Sequence, residues 1–349
     1  MRNRISILAI LAVVGMLGTM VACGGGGGGG GGLNESVNYS GVTIPAVIDT
    51  TSAVQLALDA TIGTNDADEY GGGSFLSAPG SGTGGLNFAR NPGQAVNLMR
   101  GFMDGGGSAQ PLGVSAEPLA VECMSVFSST GSVGGTMTMR ICADPAEYYG
   151  TRYWMSMTLI FDEYDNGTDY QDGELAVQGT FDETIGSEGD LDGPVTVIFR
   201  DLVTIDSFSG EDSYIDGWAI YTKGTNTVSI TYNMNIMDSA SGDACWMDDY
   251  TILVDHVSDE VTLSGRFYDA VAGYVDLTTE TVLSWNVGMS AEGELTWNED
   301  HPTAGTVKLA GADGYWISIT FSPTGYTVQV NYTGDDSSDV TIGEISWIV

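Results

Sequence analysis

The stretch YWMSMTLIF, residues 153–161, indicates the fold class, because its apolar side chains recur at every second position. A period of two is typical of a β-strand with one face on a core and the other toward water. Similar alternation recurs along the chain after residue 133, and its apolar positions include Met137, Met139 and Ile141, then Leu175, Val177 and Phe181, then Tyr232, Met234 and Ile236, then Tyr315, Ile317, Ile319 and Phe321, then Tyr326, Val328, Val330 and Tyr332.

Turn signals separate these segments, among them Asp165-Asn166-Gly167, Lys223-Gly224 and Pro323-Thr324-Gly325. Short connections make neighbouring strands antiparallel. The sequence therefore predicts a mainly β protein: a large antiparallel meander of roughly a dozen to fourteen strands, arranged as a sandwich or barrel-like.

The region before this β domain has a different pattern. Residues 34–110 are rich in small residues and predict a small mixed region with short helices, whereas residues 111–349 predict the antiparallel β domain. Asp49 to Ser52 offers helix caps before an apolar segment at 53–58, and Asn91-Pro92 is a second helix start, with Gly105 to Gly107 as its stop. We expect a small helical N-terminal element beside the sheet.

The charge balance excludes one class of partner. The chain has 46 acidic residues against 10 Lys and Arg, for a net charge of −36, and no basic run. Nucleic-acid binding needs clustered basic residues at the phosphates, so we expect no nucleic-acid partner. Because 42 % of the residues are hydrophobic and only 16 % are charged, disorder is also excluded.

The N-terminus has the features of an export signal. Arg2 and Arg4 precede an apolar run at residues 5–17, and Ala22 precedes Cys23, so residues 1–22 predict a signal peptide. A cysteine at this point resembles the lipobox of bacterial lipoproteins, which implies that Cys23 becomes the new N-terminus and carries lipid. No Asp follows Cys23, which by resemblance to the enterobacterial sorting pattern implies the outer membrane.

A glycine tract follows the predicted lipid site. Residues 24–32 are all glycine, and residues 23–33 together form the lipidated Cys and its tether. Nine glycines form a flexible coil with a root-mean-square reach of about 15–18 Å. The expected layout is a folded domain held to a membrane through lipid on Cys23.

Three cysteines remain after Cys23. Cys123 and Cys142 flank a Ser-Gly-rich turn, and we predict a disulfide between them that stabilises the fold by about 3 kcal/mol. Cys245 is left without a partner, and a reactive thiol there is a weaker hypothesis.

One acidic turn predicts a metal site. Calcium takes six to eight oxygen ligands, and closely spaced Asp and Asn in a Gly-containing turn can supply them. The solvated turn of an acidic surface is the other interpretation of this cluster. The predicted calcium ligands are Asp165, Asn166, Asp169, Asp172 and Glu174.

Catalytic motifs are missing from the sequence. It has no Gly-x-Ser-x-Gly elbow, no phosphate-binding loop and no zinc spacing, and its two histidines, His256 and His301, fall on a strand and in a turn. Carboxylate pairs could hydrolyse glycosides, but 46 acids make close pairs common by chance.

The last 220 residues or so resemble a group of proteins in their strand and turn pattern. The segments Thr158–Asp162, Asp172–Leu175 and Pro302–Gly314, with Trp347 near the end, are similar to uncharacterised, β-rich, poly-Gly-tethered lipoproteins of Gram-negative bacteria. The resemblance implies architecture and compartment and carries no catalytic residues.

Together these features predict a lipid-anchored cell-envelope protein with a non-enzymatic binding or scaffolding role and a glycan, lipid or protein partner. Two alternatives stay open. One is a hydrolase acting on carbohydrates through carboxylates, for which tryptophans could serve as sugar platforms. The other is a carrier of lipid or another apolar ligand along Met-rich strands. The tryptophans considered are Trp154, Trp218, Trp246, Trp285, Trp297 and Trp316.

Overall fold

Fourteen antiparallel strands pair in chain order, each with the strand before it and the strand after it. The first and last strands of this series pair on one side only, so the sheet is open. The predicted antiparallel meander is confirmed, as one open sheet. The computed structural model of the chain describes residues 39–61, 122–149, 152–167, 169–182, 190–191, 193–206, 212–238, 244–289, 295–298, 301–335 and 337–347.

The strands are β1 (Glu122–Thr130), β2 (Gly134–Tyr149), β3 (Arg152–Asp165), β4 (Asp169–Asp182), β5 (Asp190–Leu191), β6 (Val195–Asp206), β7 (Asp212–Lys223), β8 (Thr227–Asp238), β9 (Ala244–Asp255), β10 (Glu260–Asp269), β11 (Gly273–Ser284), β12 (Val287–Met289), β13 (Leu295–Trp297), β14 (Ala304–Ala310), β15 (Trp316–Ser322), β16 (Gly325–Asn331) and β17 (Val340–Ser346). Short β5 pairs with β4 beside the main series, and β12 pairs only with β13 in a separate two-stranded sheet.

One face of the meander, here called the inner face, forms the core. Met155, Met157 and Leu159 of β3 are buried there, as the period of two predicts. The buried inner-face side chains of the described strands from β2 to β16 form a single continuous cluster, and Ile342 and Ile345 of β17 pack against it. The opposite face, here called the outer face, carries mostly polar side chains at intermediate or high exposure.

β-Bulges bend the sheet. Three strands each carry one extra residue opposite both neighbours, in β3 near Glu163, in β6 near Asp201 and in β9 near Asp249. These three acidic residues have φ of 47°, 48° and 50°. A bulge bends its strand and increases the local twist, so three bulged strands help a single sheet to coil around its own inner face.

Residues 39–48, here called the N-terminal strap, lie beside the start of β11. They are on the same side of β11 as β14. The backbone of the strap exchanges hydrogen bonds with Tyr274, with Tyr274 N to Ile44 O at 3.0 Å and Ala46 N to Tyr274 O at 2.8 Å. Two further bonds join Val42 N to Ala270 O at 3.1 Å and Ala312 N to Ala46 O at 2.8 Å.

The strap passes from the outer face to the inner face. At its start, the ring of Tyr39 contacts Trp246 and Tyr268, whereas Ala46 and Ile48 near its end are buried in the core. The chain therefore enters the fold at the end of the sheet where β10 turns into β11.

Helix α1 (Ala53–Thr61) follows the strap and confirms the first predicted helix. Asp49 caps it by accepting from Thr51 N at 2.8 Å and Ser52 N at 2.9 Å. The hydrogen bond from the Thr51 hydroxyl, together with these two backbone bonds, lowers the pKa of Asp49 to about 2. The helix packs against β10, β15 and β16, and Tyr250 of β9 donates to Ala60 O at 2.9 Å. The second predicted helix, the signal peptide and the tether lie outside the described residues.

Candidate functional site

A groove of about 550 Å³ opens on the sheet where the bulges of β3 and β6 meet β4. Gly173 of β4 lies opposite the bulge of β6, with φ of 105°, and a β-carbon there would overlap the carbonyl oxygen of Asp201. Glycine at this position therefore lets the strands approach closely. The groove is lined by Thr136, Thr138, Arg140, Ile160, Phe161, Asp162, Asp172, Gly173, Glu174 and Asp201.

Three of the groove carboxylates have protein partners. Glu174 Oε2 lies 3.1 Å from Arg200 Nη1, Asp201 Oδ1 accepts from the Tyr214 hydroxyl at 2.7 Å, and Asp172 Oδ1 accepts from the backbone N–H of Glu163 at 3.2 Å. These bonds position the three carboxylates on β4 and β6. The lining as a whole combines carboxylates, threonine hydroxyls, the guanidinium of Arg140 and one apolar edge at Ile160.

The five predicted calcium ligands are divided between the groove and the turn from β3 to β4. Asp172 and Glu174 line the groove, whereas Asp165 accepts from Gly167 N at 2.8 Å within its own turn. Asn166 O accepts from Ser132 Oγ at 2.5 Å, and Asp169 is described by its backbone, which pairs with β6. Among the described residues, no three His, Cys, Asp or Glu side chains are grouped as metal ligands.

The calcium site stays a prediction, and thermal unfolding tests it. If the acidic turn binds calcium, millimolar calcium should raise the melting temperature above its value in EDTA. A native-state ligand at a hundredfold excess over Kd stabilises by about 2.7 kcal/mol. The rise should vanish in Asp165→Asn/Asp169→Asn and persist in Asp255→Asn, a control at the opposite end of the sheet. Equal melting temperatures of the natural chain in calcium and EDTA would contradict the site.

The register of the first hairpin bears on the predicted disulfide. Cys123 of β1 lies directly opposite Cys142 of β2, and Cys142 is disulfide-bonded. A cross-strand bridge at this register would join the two strands at the end of their pairing that lies away from the turn. Only the backbone of Cys123 is described, so the pairing of these two sulfurs remains a prediction.

Cys245 is a free cysteine of β9. Burial, helped by the negative charges of Asp59 and Asp269, raises the pKa of its thiol to about 12. The thiolate is the reactive form, so this environment opposes the hypothesis of a reactive Cys245.

We predict that iodoacetamide at pH 8 alkylates Cys245 of the native protein about a thousandfold more slowly than an ordinary thiol, because burial raises its pKa to about 12. The same chain in urea supplies the control, and mass spectrometry of the Cys245 peptide supplies the readout. Equal rates in the native and unfolded chain would contradict the prediction.

A second polar and aromatic region lies on the outer face of β8 to β11. Trp246 donates from Nε1 to Asn233 Oδ1 at 3.1 Å and stacks on Tyr268, with ring centroids 4.2 Å apart. Tyr274 follows on β11, 5.2 Å from Tyr268. Because directly opposed residues on neighbouring strands touch, these rings form a row across the strands.

A charged row runs beside these rings. Arg266 holds Asp276 through two bonds, at 2.7 and 3.2 Å, and its guanidinium lies 4.0 Å from the centre of the Tyr274 ring. Asp248 lies opposite Arg266 on β9, and burial and the nearby Asp249 raise its pKa. The charges of this region are largely paired within the protein.

The predicted tryptophan platforms divide into two groups. Trp285 is fully buried, and of Trp297 only the backbone is described. The other four tryptophans are half-buried: Trp154, Trp218, Trp246 and Trp316.

Neither histidine lies in the groove. His256 lies in the turn after β9, where its backbone N–H donates to Asn226 O at 3.1 Å and its Nε2 is buried without a hydrogen-bond partner. His301 lies before β14 and stacks on Trp347 at 3.9 Å. The structure therefore does not bring either candidate base together with the groove carboxylates.

Comparison with protein-family models, with curated proteins and with solved structures gives no match for this chain. No helix within the described residues has the length and hydropathy needed to cross a bilayer.

Proposed function

We propose that this protein is a lipid-anchored protein of the Gram-negative cell envelope, held at the outer membrane, and that its sheet has a binding role without catalysis. The signal sequence, Cys23 and the glycine tract support the anchor. The strap, with backbone hydrogen bonds to Ala270, Tyr274 and Ala312, holds the start of the described chain on the fold.

We propose that the groove binds a glycan. A sugar presents hydroxyls that both donate and accept, together with apolar C–H faces. Asp162, Asp172 and Glu174 offer acceptors, Arg140 offers donors, and Ile160 offers an apolar edge. Polar groups that the fold fixes in a concave site can orient such a ligand.

The two alternatives have less support. A lipid carrier needs an apolar cavity, whereas the groove is largely polar and the inner-face side chains of the described strands pack as one cluster. A hydrolase would use the same groove carboxylates, so the binding experiment also looks for cleavage.

The experiment measures binding of soluble envelope polysaccharides to the full-length protein in detergent micelles by calorimetry. Arg140→Ala should weaken binding by about 10- to 150-fold, because a hydrogen bond to a charged group contributes about 1.5–3 kcal/mol. Gln329→Ala, an exposed change on β16, is the control and should leave Kd unchanged. Equal Kd values for the natural chain and Arg140→Ala would contradict the groove as the site, and chain shortening of the polysaccharide would favour the hydrolase.

A further inference from the structure

The end of the sheet at which the chain enters, here called the entry end, carries exposed apolar side chains. Val271, in the turn from β10 to β11, is 84 % exposed, and Ile44 and Val47 of the strap are 65 % and 66 % exposed. Tyr332, after β16, is 41 % exposed. Water-exposed apolar side chains grouped at one place mark an interaction site rather than a core.

Backbone contacts join these four residues into one surface. The strap bonds to Ala270, next to Val271, and its Ala46 carbonyl accepts from Ala312 N in the turn before β15. The turn after β16 lies against the turn between β14 and β15, since a β-carbon on Gly334 would contact Asp313 O at 2.7 Å. The apolar side chains therefore lie along neighbouring turns of the entry end.

The acidic residues of these turns bond to their own backbones. Asp269 Oδ1 accepts from Val271 N at 2.9 Å and Ala272 N at 2.5 Å. Asp339 Oδ2 accepts from Tyr332 N at 2.7 Å and Thr333 N at 2.9 Å. These bonds fix the turns that carry Val271 and Tyr332.

The length of the tether limits how far this end lies from the lipid. Fifteen residues, 24–38, separate Cys23 from the strap, and a Gly-rich chain of that length has a root-mean-square reach of about 20–23 Å. Strand β9 runs from the entry end to the opposite end of the sheet. It starts at Ala244, beside Ala270, and ends at Asp255, about 36 Å away. These four exposed apolar residues thus lie at the end of the sheet where the described chain begins, at residue 39.

We propose that the entry end rests on the lipid surface, with Val271, Ile44, Val47 and Tyr332 inserted into its interfacial layer. This inference rests on the proposed lipid anchor at Cys23. Apolar side chains and a tyrosine ring suit the boundary between headgroups and acyl chains. With a net charge of −36 the domain is repelled by anionic lipid, so the surface it fits is a zwitterionic one. The outer face and the groove then stay in water, open to a ligand.

The experiment uses the full-length lipidated protein on phosphatidylcholine vesicles, with an environment-sensitive fluorophore on a single introduced cysteine. Val271→Cys reports on the entry end. Val257→Cys, in the turn after β9, is a matched control that is 67 % exposed at the opposite end. Cys245→Ser in both variants removes the native thiol. Quenching by lipids that carry a nitroxide in the upper acyl chain is the readout.

The proposal predicts quenching at position 271 that exceeds quenching at position 257 by about twofold or more. When half of the phosphatidylcholine is replaced with anionic phosphatidylglycerol, quenching at position 271 should decrease. Equal quenching at the two positions, or none at 271, would overturn the proposal. A blue shift of the fluorophore emission at position 271 that grows with the density of protein on the vesicles, without quenching by the nitroxide lipids, would indicate that a second copy covers this surface. That result would also overturn the proposal.

Vesicle flotation separates this outcome from a failure of the anchor. The natural chain should float with the vesicles, and Cys23→Ser should stay at the bottom of the gradient. If the two chains behave alike, the lipid anchor itself is wrong. If only the natural chain floats and position 271 is not quenched, the anchor stands and the resting surface is wrong.

Discussion

Gly265→Ala should lower the free energy of unfolding by about 2–4 kcal/mol, since it combines backbone strain with a steric overlap. Gly265 of β10 has φ of 117° and lies opposite the bulge of β9. A β-carbon there would overlap the carbonyl oxygen of Asp249, a backbone atom that cannot turn aside as the end of a flexible side chain could. Urea unfolding followed by tryptophan fluorescence measures the change as a lower midpoint at unchanged slope.

Two other glycines separate the effect of backbone strain from the effect of steric overlap. Gly193 has φ of 100° with open space around it, so Gly193→Ala should cost about 1–2 kcal/mol from strain alone. Gly343 of β17 also faces open space and has no positive φ, so Gly343→Ala should fall within about 0.5 kcal/mol of the natural chain. If Gly265→Ala behaves like Gly343→Ala, the bulge of β9 is wrongly placed.

Trp285→Ala should destabilise the protein by about 3–5 kcal/mol, because it leaves a cavity where the largest fully buried side chain of the described residues was. Trp285 follows β11, and its backbone N–H donates to Asp259 O at 3.0 Å, which holds this segment on the turn before β10. The same urea experiment gives the value.

Trp316→Ala is the matched control for this change. Trp316 is half-buried on the outer face, where the Lys308 ammonium lies 4.7 Å from its ring centre. Its removal should cost about 1 kcal/mol or less, since exposed cation–π contacts contribute about 0.5–1 kcal/mol. Similar losses for the two tryptophans would mean that the inner and outer faces are wrongly assigned.

Alternation predicted the strands and their inner face. Met155, Met157 and Leu159 are buried as their spacing requires, and Val328 and Val330 of β16 are buried too. Tyr332 continues the same spacing but is 41 % exposed, because β16 ends at Asn331 and the face no longer continues. A periodic pattern indicates a face and does not show where the strand stops.

The bulges were missed, although the sequence contains a signal for them. Glycines in the middle of alternating strands, such as Gly173 and Gly265, indicate a bulge or a close backbone approach. The bulged strands repeat one tetrad, an apolar residue, a charged residue, an acid and an apolar residue, at Phe161–Tyr164, Phe199–Leu202 and Met247–Tyr250.

The groove could not be predicted from local patterns. Its residues come from four strands, and only the register and bulges of the folded sheet bring Arg140 near Asp201. The strap was missed for a similar reason, because its partners Tyr274 and Ala312 lie more than 200 residues away in the chain. Such contacts depend on tertiary structure and leave no periodic trace in sequence.

Mass spectrometry of the N-terminal peptide tests the central claim of a lipid-anchored protein most directly. The protein is extracted with detergent from the membranes of a Gram-negative host that expresses the full chain. The expected result is a mature chain that begins at Cys23 and carries covalent lipid on that residue. A chain that begins elsewhere, or a Cys23 with a free thiol, would contradict it.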